Sequence, residues 1–147
     1  MGKVITFGEL MLKLSPPANE RIIQAHQLNV EYSGAEANVA VSLANFGMDV
    51  SFVTAVPDNV LGDAAMNAIR HYGVDVSKII RKEGRLGIYF SEKGASQRPS
   101  KVIYDRRNSV IALATEADFD WTFIFHDATW FHFTGITPAL SDNAATI

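Results

Sequence analysis

Strand-like and helix-like segments alternate along the first 80 residues, and this alternation is the feature that most constrains the fold. Two helical patterns, each followed by a glycine as is typical where a helix ends, separate segments rich in apolar and β-branched residues. In chain order the segments are 3–8 (strand), 36–46 (helix), 50–56 (strand), 62–72 (helix) and 74–80 (extended). This spacing predicts a parallel sheet with crossover helices, and therefore an α/β fold.

A hairpin pattern at residues 86–106 interrupts the alternation. Leu86–Ser91 and Lys101–Arg106 predict two antiparallel strands, because they flank a polar loop with two clusters of small turn-forming residues. Residues 21–32 also have an extended pattern. The buried-strand pattern resumes at Thr129–Thr134, so the hairpin is an insertion into a continuing α/β fold.

The last residues predict a helix that has only begun. Ser141 is a suitable N-cap, Asp142–Ala145 suit a first helical turn, and the sequence stops at Ile147. A short helix depends on tertiary packing for its stability. We therefore expect the chain to be a fragment of a longer protein.

Composition is that of a globular domain, and it argues against several function classes. Apolar residues make up 48% and charged residues 20% of the 147 positions, enough for one sizeable core. No stretch reaches the ~20 apolar residues of a membrane span, cysteine is absent, and no leader pattern precedes the first strand. We expect a cytoplasmic protein without a membrane partner. The net charge of −3 argues against nucleic acid as a partner.

Positive charge is concentrated in one segment. Residues 78–107 hold nine Lys or Arg and three Asp or Glu, a net +6, so the rest of the chain carries −9. Such a field could steer a small anion; the alternative is an ordinary solvated hairpin surface. The four histidines have no metal-ligand spacing, so no metal site is predicted.

A turn of small residues at Ser33–Ala35 opens directly into the first helical pattern, with Asn38 in its first turn. A helix start exposes unpaired N–H groups and a partial positive charge, and small side chains let a ligand oxygen approach them. Glu9 follows the first strand, where open α/β sheets bind their ligands. The pattern indicates a polar ligand site, or alternatively a tight turn without a ligand.

The second hairpin strand offers two polar groups to one face. Tyr104 and Arg106 are two residues apart, so they share that face, and Arg can bind a carboxylate through two parallel hydrogen bonds. On the first hairpin strand, Tyr89 has the opposite parity to its apolar neighbours. The alternative is an amphipathic strand with a surface Arg.

Several motifs resemble the N-terminal signature of the ribokinase-like (PfkB) carbohydrate kinase family, with the greatest similarity to its 2-keto-3-deoxygluconate kinase branch. The family signature is carried by Gly34–Ala40 and Val53–Asp63, and the branch resemblance by Gly8–Pro17, Leu86–Phe90, Gly94–Arg106 and Trp130–Ile136. The resemblance covers the whole chain, which ends near the middle of what a family member contains.

The resemblance implies a partial three-layer α/β sandwich of the ribokinase-like fold with a small β lid. Residues 1–147 would be the N-terminal part of a sugar kinase domain, with lid strands near 10–32 and 86–106. The implied substrate contacts are Glu9, Gly34, Ala35, Asn38, Tyr89, Tyr104, Arg106 and Ile136. The family's catalytic Asp lies in a Gly-Ala-Gly-Asp turn that this sequence lacks, so no catalytic residue is assigned.

The implied activity is ATP-dependent phosphorylation of 2-keto-3-deoxygluconate, a phosphoryl transfer to an alcohol group. This chain would supply the sugar pocket and lid, whereas ATP and Mg²⁺ would be bound mostly by residues outside it. Phosphoryl transfer depends on positioning and electrostatic stabilisation, so the chain alone is expected to be inactive. We expect a small-molecule sugar acid as ligand and a homodimer formed through the lid. Two alternatives remain: a kinase of another sugar such as fructose, and a non-catalytic sugar-binding fragment.

Overall fold

The computed structural model describes residues 2–147, which form nine strands and four helices together with short 3₁₀ turns. The strands are β1 (Lys3–Phe7), β2 (Met11–Ser15), β3 (Asn29–Ser33), β4 (Val50–Val53), β5 (Ala55–Pro57), β6 (Ile80–Lys82), β7 (Ile88–Glu92), β8 (Lys101–Asp105) and β9 (Ala128–His132). The helices are α1 (Ala35–Asn45), α2 (Val60–Arg70), α3 (Val110–Leu113) and α4 (Trp121–Phe125). The 3₁₀ turns are Ile22–Gln24, Glu116–Asp118, Pro138–Leu140 and Ala144–Thr146.

A parallel sheet of three strands, in the order β4–β1–β9, lies at the centre of the molecule. A short parallel pair, β5–β6, continues from β4. The parallel sheet with crossover helices that the sequence predicts is therefore confirmed.

Alternate residues of β1 bury their side chains in two different cores. Val4 packs with residues of α1 and α2 on one face of the sheet. Ile5 and Phe7 pack with residues of α3 and α4 on the other face. Successive side chains of a strand point to opposite faces, so β1 contributes to both cores. The helices that cover the two faces of the sheet give the expected three-layer α/β arrangement.

The two long helices end where the sequence places their glycines. Gly47 follows α1 with φ +79°, and Gly73 follows α2 with φ +83°, a left-handed conformation that glycine adopts at little cost. The Asn59 side chain caps α2 by accepting from the N–H groups of Leu61 at 2.9 Å and Gly62 at 3.3 Å. With eleven residues each, α1 and α2 are the longest helices of residues 2–147. No helix in this part of the chain is long and apolar enough to cross a membrane.

Some predicted segments differ in detail. The strand predicted at 50–56 is divided at Thr54, because its partner β1 ends at Phe7 and the chain then pairs with β6. The helix predicted after Ser141 is a 3₁₀ turn. The Ser141 hydroxyl still caps that turn by accepting from the Ala144 N–H at 3.0 Å, while donating to the Ala112 carbonyl at 2.5 Å.

A four-stranded sheet, in the order β3–β2–β7–β8, is separate from the central sheet. Its two hairpins, β2–β3 and β7–β8, are antiparallel and meet through the parallel β2–β7 pair. Two contacts join the β7–β8 hairpin to the connection between β2 and β3: Glu92, the last residue of β7, accepts from the Ile22 N–H at 3.0 Å, and Arg98 donates to the Asn19 carbonyl at 2.6 Å. The antiparallel hairpin predicted at 86–106 is therefore present, and it is part of a larger sheet.

A hydrogen-bonded carboxylate holds the segment after α2 against the central sheet. Asp75 accepts from the Ser51 hydroxyl at 2.7 Å, the Ser77 N–H at 2.9 Å and the Lys3 ammonium at 3.3 Å. Partial burial alone would raise the pKa of Asp75, but these hydrogen bonds outweigh it and hold that pKa well below its ordinary value. The interaction therefore stabilises the fold at neutral pH and is lost as the pH falls.

Candidate functional site

A cavity of about 180 Å³ lies where the four-stranded sheet meets the end of the central sheet. Its lining comes from the loop after β1, the turn between β3 and α1, strands β2, β7 and β8, and the segments after β8 and β9. The lining residues are Glu9, Met11, Ser33, Gly34, Ala35, Glu36, Tyr89, Val102, Tyr104, Arg106 and Ile136.

Seven of the eight residues predicted to contact a substrate line this cavity. They are Glu9, Gly34, Ala35, Tyr89, Tyr104, Arg106 and Ile136. Asn38 lies one turn further along α1, where it is exposed and faces a neighbouring groove. Its side chain accepts a hydrogen bond from the Ser33 hydroxyl at 3.2 Å. Asn38 is therefore linked to the cavity through the lining residue Ser33.

An ion pair between Glu9 and Arg106 crosses the cavity floor. The Arg106 Nε donates to Oε2 of Glu9 at 2.7 Å, and Nη2 is in ionic contact with the same oxygen. The Glu9 side chain is only 3% exposed. A Cβ at Gly87 would collide with Oε1 of Glu9 and lie 3.2 Å from Cβ of Arg106. Glycine at position 87 therefore leaves the space that this pair needs.

The protonation of Glu9 depends on competing influences. Burial raises the pKa of Glu9, whereas the Ser109 hydroxyl and Arg106 oppose this rise, and the nearby Glu36 carboxyl adds to it. The net result is a pKa above the ordinary value for glutamate. Glu9 therefore becomes protonated at a higher pH than a solvent-exposed glutamate would.

Two tyrosines and the guanidinium form one wall of the cavity. Tyr89 of β7 is paired with Tyr104 of β8 across the hairpin, with ring centroids 5.8 Å apart. The Arg106 guanidinium lies 5.5 Å from the centre of the Tyr104 ring, a cation–π distance. The shared face that sequence parity predicts for Tyr104 and Arg106 thus meets the cavity. Together they place an aromatic surface, two hydroxyls and a cation on one ligand-sized space.

A buried carboxyl that the sequence reasoning missed joins the start of α1 to the segment after β9. Glu36 is 1% exposed and accepts a hydrogen bond from the Thr134 hydroxyl, which itself accepts from the Ile136 N–H at 3.2 Å. A Cβ at Gly8 would collide with Oε2 of Glu36. The sequence signal was an acidic residue within an apolar helix start, a pattern also typical of an exposed partner of the helix dipole.

Another glycine brings the helix start close to the end of β1. A Cβ at Gly34 would collide with the carbonyl oxygen of Glu9. Gly34 has φ −168°, an extended conformation open to any residue, so space rather than backbone freedom requires glycine. The small-residue turn predicted as a ligand site is therefore also a packing requirement.

The concentration of basic residues at 78–107 does not produce an open basic surface. Six of its nine cations lie within 4.0 Å of an acidic side chain. These pairs are Lys78–Asp127, Arg81–Asp58 and Arg81–Asp63, Lys82–Asp118, Arg85–Asp105, Arg98–Glu92 and Arg106–Glu9. Among residues 2–147, Arg106 is the one cation that lines the cavity.

A larger hollow of about 340 Å³ lies beside β9 and has a different character. Apart from the Trp121 indole, its side chains are purely hydrocarbon, and they include Phe7, Phe131 and Phe133. It offers few groups for binding a polar ligand. In the described part of the chain, no cluster of three or more Asp, Glu, His or Cys residues is placed to hold a metal ion.

Comparison with known proteins identifies the relatives of this chain. It is 38% identical to the 2-dehydro-3-deoxygalactonokinase of Haloferax volcanii and 32% identical to the 2-dehydro-3-deoxygluconokinase of Bacillus subtilis. These alignments cover 95% and 93% of the chain, but only 44% and 42% of the two relatives. The chain thus spans less than half the length of these relatives.

A solved structure shows the same relationship in three dimensions. The 2-dehydro-3-deoxygluconokinase of Thermotoga maritima is 56% identical and superimposes with a TM-score of 0.94, over 96% of this chain and 43% of that one. The chain therefore has part of the ribokinase-like fold. The model of the pfkB family of carbohydrate kinases matches residues 1–146, and the chain belongs to that family.

Proposed function

We propose that this chain carries the sugar-acid pocket of an ATP-dependent kinase of 2-keto-3-deoxygluconate, the compound also called 2-dehydro-3-deoxygluconate. The observation that carries the proposal is the meeting of Tyr89, Tyr104 and Arg106 with the start of α1 in one cavity. Family membership supports a phosphoryl transfer to a sugar hydroxyl. The names of the Bacillus and Thermotoga relatives support the same substrate class.

The chemistry of the lining suits a hydroxylated acid. The Arg106 guanidinium would bind the carboxylate through parallel hydrogen bonds. The tyrosine hydroxyls and the N–H groups at the start of α1 would bind sugar oxygens. Gly34 and Ala35 have the small side chains that such an approach to the backbone requires, and Asn38 would hold the turn through Ser33.

The four-stranded sheet would act as a lid over the bound sugar. The expected lid segments near 10–32 and 86–106 include β2 and most of β3, which ends at Ser33, and both β7 and β8. Edge strands β3 and β8 expose apolar side chains, including Val30 at 61% and Ile103 at 55%. Covering these edges with a second copy would stabilise them, which supports a homodimer formed through this sheet.

ATP and Mg²⁺ would be bound mostly by residues outside this chain. Residues outside this chain would also supply the base that takes the proton of the sugar hydroxyl, as that oxygen attacks the γ-phosphorus and ADP leaves. The chain alone is accordingly proposed to bind the sugar without consuming ATP.

A second candidate substrate is 2-keto-3-deoxygalactonate, which the name of the Haloferax relative favours. The two acids share the carboxylate and differ in the configuration of one hydroxyl-bearing carbon. The ionic contact of Arg106 does not distinguish them, whereas contacts from Tyr89 and Tyr104 to that hydroxyl would.

The test joins this chain to the C-terminal part of the Thermotoga kinase. ATP consumption by the hybrid is measured with each sugar acid and with fructose, beside the chain alone and the hybrid carrying Arg106→Ala. We expect turnover with a sugar acid by the hybrid, none by the chain alone, and a large loss in the variant. Equal turnover of fructose would indicate a kinase of another sugar. Saturable sugar binding by an inactive hybrid would favour a non-catalytic module.

A further inference from the structure

We propose that Glu9 pairs with Arg106 as an internal stand-in for the substrate carboxylate before a substrate binds. When a sugar acid binds, the substrate takes the place of Glu9 on Arg106, and Glu9 takes up one proton from solvent. This inference rests on the proposed function, because the exchange requires an anionic ligand.

The existing pair leaves much of its bonding capacity unused. Two nitrogens of Arg106 meet a single oxygen of Glu9, and only Nε makes a well-directed hydrogen bond. The other oxygen, Oε1, is buried and accepts no hydrogen bond of normal geometry, and the Ser109 hydroxyl near this carboxyl is likewise buried without a well-placed partner. A carboxylate that offers both oxygens to the planar guanidinium forms two parallel hydrogen bonds and is the stronger partner. The geometry therefore favours replacement of Glu9 by such a ligand.

The balance of charge around Arg106 favours the uptake of a proton by Glu9 when the substrate carboxylate takes its place. The titratable or charged groups around Glu9 are Glu36 of α1, Arg85 before β7, Tyr89 of β7, Tyr104 of β8 and Arg106 after β8. Arg85 is already paired with Asp105 at 2.9 Å. Arg106 is thus the cation left to balance a ligand carboxylate beside two buried glutamates. The negative charge of a ligand carboxylate this close would disfavour the ionised form of Glu9.

Oε1 of Glu9, which makes no well-directed hydrogen bond, is the oxygen that would be protonated. Burial already favours the neutral form of Glu9, and loss of Arg106 would raise its pKa further. Once protonated, Glu9 has a hydroxyl that can donate to a ligand oxygen. Gly87 packs against Oε1 and keeps this position free of a side chain.

Calorimetric titration of the 147-residue chain with 2-keto-3-deoxygluconate tests the exchange. Titrations from pH 5.5 to 8 in buffers of different ionisation heat count the protons taken up. We expect net uptake, and a Kd that weakens as the pH rises by up to about tenfold per unit for one proton. Glu9→Gln should abolish both effects while the sugar acid still binds. Glu31→Gln is the matched control, because Glu31 pairs with Lys13 on the four-stranded sheet and does not line the cavity.

A second measurement needs no ligand. The ¹³C signal of the Glu9 carboxyl, followed through a pH titration, should give a pKa above that of ordinary glutamate, and Arg106→Gln should raise it further. A Glu9 pKa at or below the ordinary value would overturn the proposal, as would binding of the sugar acid without proton uptake. Binding without proton uptake would still be compatible with the proposed function. Absence of any sugar-acid binding at every pH would refute both.

Discussion

Replacing Thr134 with Val tests the role of the Glu36 carboxyl in holding the cavity together. Valine keeps the shape of threonine and removes the hydroxyl that donates to Glu36. Glu36 is 1% exposed, so water cannot replace that donor, and loss of a hydrogen bond to a buried acceptor of this kind costs about 2 kcal/mol. The Ile136 N–H also loses its acceptor, but it lies in an exposed turn and contributes little.

The matched variant Thr134→Ser keeps the hydroxyl and loses only a methyl group. It should lower the free energy of unfolding by less than about 1 kcal/mol. Thr129→Val is a control at an exposed hydroxyl, 3.3 Å from the Lys3 carbonyl, and should change stability by less than about 0.5 kcal/mol. Urea denaturation of the three variants measures these differences. Equal destabilisation by valine and serine at position 134 would refute the assignment, because the hydroxyl would then contribute nothing.

Three further predictions concern the ion pair and the central sheet. Arg106→Ala should weaken 2-keto-3-deoxygluconate binding by about tenfold to hundredfold, and fructose binding far less, in calorimetric titrations; an equal loss for both ligands would contradict this. Gly87→Ala should lower the free energy of unfolding by about 1–3 kcal/mol in urea denaturation, because its Cβ overlaps Oε1 of Glu9; unchanged stability would contradict the packing argument. The pKa of Asp75 is lowered in the folded state. The stability that its ionised form contributes is therefore lost as the pH falls below the ordinary pKa of an aspartate. Denaturation between pH 6 and 3 should therefore show a smaller pH dependence for Asp75→Asn than for the wild type, and identical slopes would refute the linkage.

Features that repeat locally along the chain could be predicted from the sequence. The period of two along a strand placed Tyr104 and Arg106 on one face, and the structure brings both to the cavity. The small-residue turn at Gly34 marked the start of α1 to within one residue. Such predictions succeed because they depend on backbone geometry that neighbouring residues determine.

Contacts between distant residues could not be predicted in the same way. Arg106 meets a carboxylate 97 positions earlier in the chain, and Thr134 meets Glu36 across 98 positions. No local pattern shows that Arg106 pairs with Glu9. Likewise, the density of cations at 78–107 gave no sign that four of the nine pair with acidic residues elsewhere in the chain.

Binding of 2-keto-3-deoxygluconate to the purified 147-residue chain, compared with fructose by calorimetric titration, tests the central claim most directly. The account predicts saturable binding of one sugar acid per chain, with fructose at least about tenfold weaker, since it lacks the carboxylate that Arg106 would hold. Equal affinity for the two ligands, or no saturable binding of the sugar acid by a folded chain, would contradict it.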